Sequence, residues 1–160
     1  MENSKELLVE QLLTDHYDTY YRLAFSYVHN EADAMDIVQE GAYKAILKCE
    51  SLKETDFAGT WIYRIMLNEI YSTLRQKNRA EEKMSTLETL QDVPAGETED
   101  RLPLREALEM LSPREKALIE LRFFEDMKIE DIAQVLDENV STVKSRLYRT
   151  LQKLKLSLEE

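Results

Sequence analysis

Apolar positions in the N-terminal half of the chain recur at steps of three and four. Leu23 and Tyr27 begin the series, Ala34, Ile37, Val38, Gly41 and Ala45 continue it, and Trp61, Ile62, Ile65, Met66 and Ile70 close it. An α-helix turns once in about 3.6 residues, so such steps return to one side and each set predicts an amphipathic helix with that stripe inward. Trp61 and Ile65 are expected in the core on this ground. Ser51 to Gly59 is short and polar apart from Leu52 and Phe57, which predicts a loop between two packed helices. There is no alternating strand pattern.

The pattern breaks from Glu82 to Pro103, where Val93-Pro94-Ala95-Gly96-Glu97-Thr98-Glu99-Asp100 is acidic and poor in large apolar groups. This stretch predicts a flexible acidic linker at 82–103, between an N-terminal domain at 1–81 and a C-terminal one at 104–160. Beyond it, Ser112-Pro113-Arg114-Glu115 carries the marks of a helix start. Serine caps, proline takes the first helical position and glutamate completes a capping box. That helix is expected to run to about Phe124. Ile129, Ile132, Ala133 and Leu136 form the next stripe, and Val140, Val143, Leu147, Leu151 and Leu154 follow after a break at Asp137 to Val140. Two helices joined so tightly predict a helix-turn-helix, giving an all-α fold of two small helical domains.

Length and composition narrow the function classes. At roughly 100–200 residues per domain, 160 residues hold one ordinary domain or two small ones, which excludes a large enzyme. Three glycines and three prolines leave little to interrupt helices. Cys49 stands alone and His16 and His29 are the imidazoles, so neither an internal disulfide nor a thiolate zinc site can be built, and no cofactor or metal is expected. No apolar run approaches a membrane span, and Met1 to Glu6 lacks the basic-then-apolar pattern of a signal peptide, so a cytoplasmic location without membrane insertion is expected.

The net charge of -11 opposes binding to nucleic acid, whose nonspecific affinity comes mainly from cations at phosphates. Its distribution reverses that impression. Residues 1–79, 80–103 and 104–160 carry net charges of -4, -5 and -2, and from Val140 to Leu158 there are five cations and no acid. With Val143, Leu147, Leu151 and Leu154 inward, the last helix turns Ser141, Thr142, Lys144, Ser145, Tyr148, Arg149 and Gln152 outward. A helix of that chemistry fits a DNA major groove, where cations meet phosphates or guanine edges and hydroxyls meet either. Taken alone the same face reads as solvated basic surface. The preceding helix and turn favour the groove.

Leu111-Ser112-Pro113-Arg114-Glu115, Glu130 to Leu136 and Ser141 to Arg149 resemble the promoter-binding C-terminal domain of extracytoplasmic-function (ECF) sigma factors of RNA polymerase. Ala34-Met35-Asp36-Ile37-Val38-Gln39-Glu40 resembles that family's polymerase-binding helix. Phe57 to Ile65, with Asn68-Glu69 and Leu74-Arg75, resembles its promoter-opening segment. Asp137 stands where the family usually has glycine, and Glu138 where relatives are often apolar.

The resemblance implies recognition rather than catalysis: a non-enzyme that joins core RNA polymerase, binds promoter DNA and is held by an anti-sigma factor. By spacing alone, Asp36, Gln39, Glu40 and Tyr43 form a solvated acidic face; by resemblance that face docks on the polymerase clamp. The loop from Leu52 to Phe57 and the helix bearing Asn68 would capture unstacked minus-ten bases, with Arg64, Arg75, Lys77 and Arg79 near phosphate. Ser141, Thr142, Lys144, Ser145, Arg146, Tyr148 and Arg149 would meet the minus-thirty-five element. The rival readings are a helix-turn-helix repressor or activator that binds a palindrome without polymerase, and an adaptor that binds protein alone.

Overall fold

The structure is a computed structural model and describes residues 4–84 and 102–159. Those residues fold as two compact units, one centred on helices α1 to α4 and the other on α5 to α8. The elements are α1 (Ser4–Asp15), α2 (Tyr17–Val28), α3 (Glu31–Leu47), α4 (Ala58–Met84), α5 (Leu102–Glu109), α6 (Pro113–Ile119), α7 (Ile129–Leu136) and α8 (Val140–Glu159). Among the described residues there is no strand. Helix α4 continues through Met84 and α5 begins at Leu102, so both ends of the expected 82–103 linker are helical. Residues 85–101 of that linker lie outside the described residues.

In the N-terminal unit, α2 and α3 meet at a tight turn built from two local devices. His29 enters the left-handed region at φ 54° and donates its backbone N–H to the Phe25 carbonyl at 2.8 Å, ending α2. Asn30 then caps α3, its side-chain oxygen accepting from the Asp33 N–H at 2.9 Å, with Glu31 and Asp33 in the first turn where the helix dipole favours acid. The inward face of α3 is Ala34, Ile37, Val38, Gly41 and Ala45, as its spacing predicts. Gly41 gives the α4 side chain of Met66 its room there: a Cβ would sit 2.5 Å from the Met66 Sδ, so that side chain would have to shift. The expected loop between α3 and α4 holds two short 3-10 turns, Cys49–Ser51 and Thr55–Phe57, and is pinned by buried Leu52 and Cys49. Helix α4 buries Ala58, Ile62, Met66, Leu67 and Ile70. Trp61 and Ile65 are corrected: both are half-buried at the edge of this stripe rather than within the core.

In the C-terminal unit the capping box is present as read. The Ser112 side chain accepts from the Glu115 N–H at 3.2 Å, and the Glu115 carboxylate accepts from the Ser112 N–H at 3.0 Å. The regular helix stops at Ile119, short of Phe124, and continues as a π-turn over Glu120–Phe124, where the Glu125 N–H reaches the Glu120 carbonyl at 2.9 Å. Helix α5, on which the sequence pattern was silent, adds Ala107, and the turn after it Leu111, to a small core with Ile119 and Leu154.

The turn between α7 and α8 spans Asp137 to Asn139, since Val140 is already helical. Asp137 adopts φ 60°, and the Glu138 N–H bonds the Ala133 carbonyl at 2.9 Å. This is a Schellman end with aspartate at the position glycine usually takes. Asn139 caps α8, accepting from the Thr142 N–H at 2.8 Å. On α8 the inward positions are Val143, Leu147, Thr150 and Leu154; Thr150 is fully buried while Leu151, expected inward, is exposed.

Candidate nucleic-acid interface

Helix α3 turns Asp36, Gln39, Glu40 and Tyr43 to solvent on a single face. Asp36, Gln39 and Glu40 line an open groove of about 610 Å³ whose far wall is Glu69, Ser72, Thr73 and Gln76 of α4. Leu47 lies four residues beyond Tyr43 on the same face and is 64% exposed, beside Tyr43 at 61%. The acidic face therefore ends in an apolar patch. Sequence reasoning missed Leu47 because an apolar residue at a helix end reads as core.

Two ion pairs close the seam between α3 and α4: Lys44 with Glu69, and Lys77 with Asp33 at 2.6 Å. The hydrogen bond from Lys44 to Glu69 raises the lysine's pKa above its ordinary value, so this ammonium stays charged. Lys77 was expected near phosphate together with Arg64, Arg75 and Arg79. Around α4, however, Arg64, Asn68, Arg75 and Arg79 share one narrow exposed stripe, and Lys77 falls on the opposite side, over the seam with α3. Half-buried Trp61 and Tyr71 border the stripe, and Phe57, 39% exposed, stands just before the helix. Cations thus share one edge of α4 with the aromatic side chains at its head, a chemistry that can track a strand with unstacked bases.

On α8, Ser141, Lys144, Ser145, Tyr148, Arg149 and Gln152 are exposed, with Tyr148 at 66%. The Ser141 hydroxyl donates to the Asn139 side chain at 3.1 Å. Thr142 and Arg146 are half-buried on the flank. Arg146 donates to the Glu138 carboxylate at 2.5 Å, and Lys153 reaches Glu115 at 2.9 Å. The five cations therefore divide: Lys144, Arg149 and Lys155 lie on the exposed side, and the other two are matched by acids of their own unit. Burial favours the neutral form of Glu115, but the Lys153 contact and the capping bonds outweigh it and hold its pKa below the ordinary value.

Comparison with known proteins identifies the family of the chain. Residues 12–80 match the family model for sigma-70 region 2, and residues 101–154 match that for sigma-70 region 4. RNA polymerase sigma factor SigV of Bacillus subtilis strain 168 is 41% identical over 98% of this chain and 94% of its own. The chain belongs to the ECF family of RNA polymerase sigma factors. It is a transcription initiation factor, with α3 and α4 in region 2 and α5 to α8 in region 4. RNA polymerase sigma-E factor of Streptomyces coelicolor is 27% identical over 93% of this chain and 85% of its own. Among solved structures, the sigma factor RpoE of Bartonella quintana, crystallised with the anti-sigma factor NepR, aligns with a TM-score of 0.74 at 25% identity, covering 94% of this chain and 96% of that one. Among the described residues of this sigma factor no helix is long and apolar enough to cross a membrane.

Proposed function

We propose that the three exposed faces divide the work of initiation. The α3 face of Asp36, Gln39, Glu40 and Tyr43, extended by Leu47, docks on core RNA polymerase. The α4 stripe of Arg64, Asn68, Arg75 and Arg79, with Phe57 at its head, holds the opened minus-ten strand. The exposed face of α8, led by Lys144, Ser145, Tyr148 and Arg149, reads the minus-thirty-five element in the major groove. The first two faces belong to the N-terminal unit and the third to the C-terminal unit. It carries no active site of its own, works in the cytoplasm without a cofactor, and is restrained by an anti-sigma factor, as RpoE is bound by NepR.

The observation that carries this reading is the contrast between an acidic docking groove on α3 and exposed cations on α4 and α8. A chain of net charge -11 has weak long-range attraction to bare DNA, so polymerase must supply much of the affinity and the positioning. The double variant Asp36→Arg with Glu40→Arg removes the groove's acceptors without touching α8. Pull-down on core polymerase and run-off transcription should both be lost, with the helical circular dichroism intact. Full activity in the folded variant would show that this face is merely solvated.

A further inference from the structure

Glu138 and Arg146 stand eight residues apart, one in the helix-turn-helix turn and the other two turns into α8. Their carboxylate and guanidinium meet at 2.5 Å, and both side chains are largely sheltered, at 19% and 25% exposure. The backbone of Glu138 is already committed, its N–H bonded to the Ala133 carbonyl of α7. One residue therefore holds the end of α7 through its main chain and the body of α8 through its side chain. Asp137 beside it carries the left-handed backbone on a residue with a Cβ, which makes this corner intrinsically less favourable than one built on glycine.

Around α8, Arg146 lies well away from the face shared by Ser141, Ser145, Tyr148 and Gln152, on the flank toward the turn. From there it is poorly aimed at a groove that the exposed face enters. We infer that Arg146 is not a phosphate ligand but half of a strut, and that the Glu138–Arg146 pair sets the angle at which α8 meets promoter DNA. The inference rests on the reading of α8 as the minus-thirty-five helix. In this role Glu138 is a positioning residue: it acts on DNA recognition through Arg146 and the turn, without touching DNA.

The sign of one substitution separates the two roles. If Arg146 served phosphate, Glu138→Gln would release a cation and remove an acid near DNA, and promoter binding would strengthen. If the pair is a strut, Glu138→Gln weakens promoter-specific binding by about threefold to tenfold, the scale of a coupled sheltered pair. The measurement uses the full chain assembled with core polymerase, on a promoter fragment selected from genomic DNA by run-off transcription, across a salt series. Arg146→Ala should weaken binding to the same extent while leaving the slope of log affinity against log salt at its parent value, whereas Lys144→Ala should reduce that slope by about 0.9. The exchanged pair, Glu138→Arg with Arg146→Glu, should recover binding that each half-exchange loses. Stronger binding in Glu138→Gln, or a salt slope reduced by Arg146→Ala, overturns the strut. Should the exchanged pair not fold, as judged by circular dichroism, the sign of the Glu138→Gln effect decides alone. Arg149→Ala is the control on the underlying reading: unchanged binding there would remove α8 from the DNA interface altogether, a result distinct from failure of the strut.

Discussion

The two units hold their working helices by different physics. In the N-terminal unit, α3 buries Ile37, Val38 and Ala45 and α4 buries Ile62, Met66 and Ile70, with Gly41 admitting the Met66 side chain between the two helices. Its ion pairs, Lys44 with Glu69 and Lys77 with Asp33, sit at the rim of that contact. In the C-terminal unit the apolar core is smaller, and polar devices take up the orientation. A capping box opens α6, a Schellman end closes α7, Asn139 starts α8, and ion pairs join Glu138 to Arg146, Glu115 to Lys153 and Glu109 to buried Lys116. A domain of this size buries too small a share of its surface for packing alone to fix every helix angle. Region 2 is therefore expected to respond most to changes of volume, and region 4 most to changes of charge and local hydrogen bonding.

The contrast can be broken or sharpened by substitution. The largest effect is expected from Ile62→Ala, which opens a cavity beneath α4 and should cost about 2–5 kcal/mol in urea unfolding of the N-terminal unit. A loss under 1 kcal/mol by the same measurement would mean that apolar packing does not govern this unit. Gly41→Leu should follow, at roughly 1–3 kcal/mol or more, because the new side chain meets Met66 and drives α3 from α4. Core-polymerase binding should fall with it, and retained binding at full stability would show that the two helices have room to separate.

In the other unit the expected effects are smaller and polar in origin. Arg149→Ala should cost about 1–3 kcal/mol for the matched promoter and little for unrelated DNA, measured by competition binding. Ser112→Ala, which removes half of the capping box, should lower the melting stability of the C-terminal unit by about 1 kcal/mol. Asp137→Gly should raise it by up to about 1 kcal/mol, since glycine takes the left-handed backbone without a Cβ clash.

Acid supplies the mildest test. The Glu115 pKa is depressed in the folded unit, so below the ordinary value of 4.5 the unfolded chain binds more protons than the folded one. The stabilisation it contributes is complete above that pH and is lost as pH falls through the depressed value. Thermal unfolding between neutral and acid pH should show this loss in the parent, and Glu115→Gln should flatten that part of the profile. An unchanged profile would remove the Lys153 pair and the capping bonds from the stability of the unit.

Local sequence determined the start of α6 and the inward stripe of α3, because capping and periodicity act over four residues or fewer. Ser112 to Glu115 and the α3 set could be read without any partner in view, and the ordered motifs carried the family. What sits over a helix flank is decided by the neighbouring helix, and that is where the reading was incomplete. Lys77 and Arg146 look like any other cation of α4 and α8 until Asp33 and Glu138 are brought against them. Trp61 stays half-buried at the edge of its stripe, and Thr150 rather than Leu151 faces the core, because a helix stripe is wide enough to hold several candidates and the packed partner selects among them. Sequence alone therefore determined the helix-turn-helix and the inward stripe of α3, while α1 and α5 emerged only from the structure. Tertiary structure decided which cations of α4 and α8 meet an acid, since an ion pair depends on distances that no single helix contains.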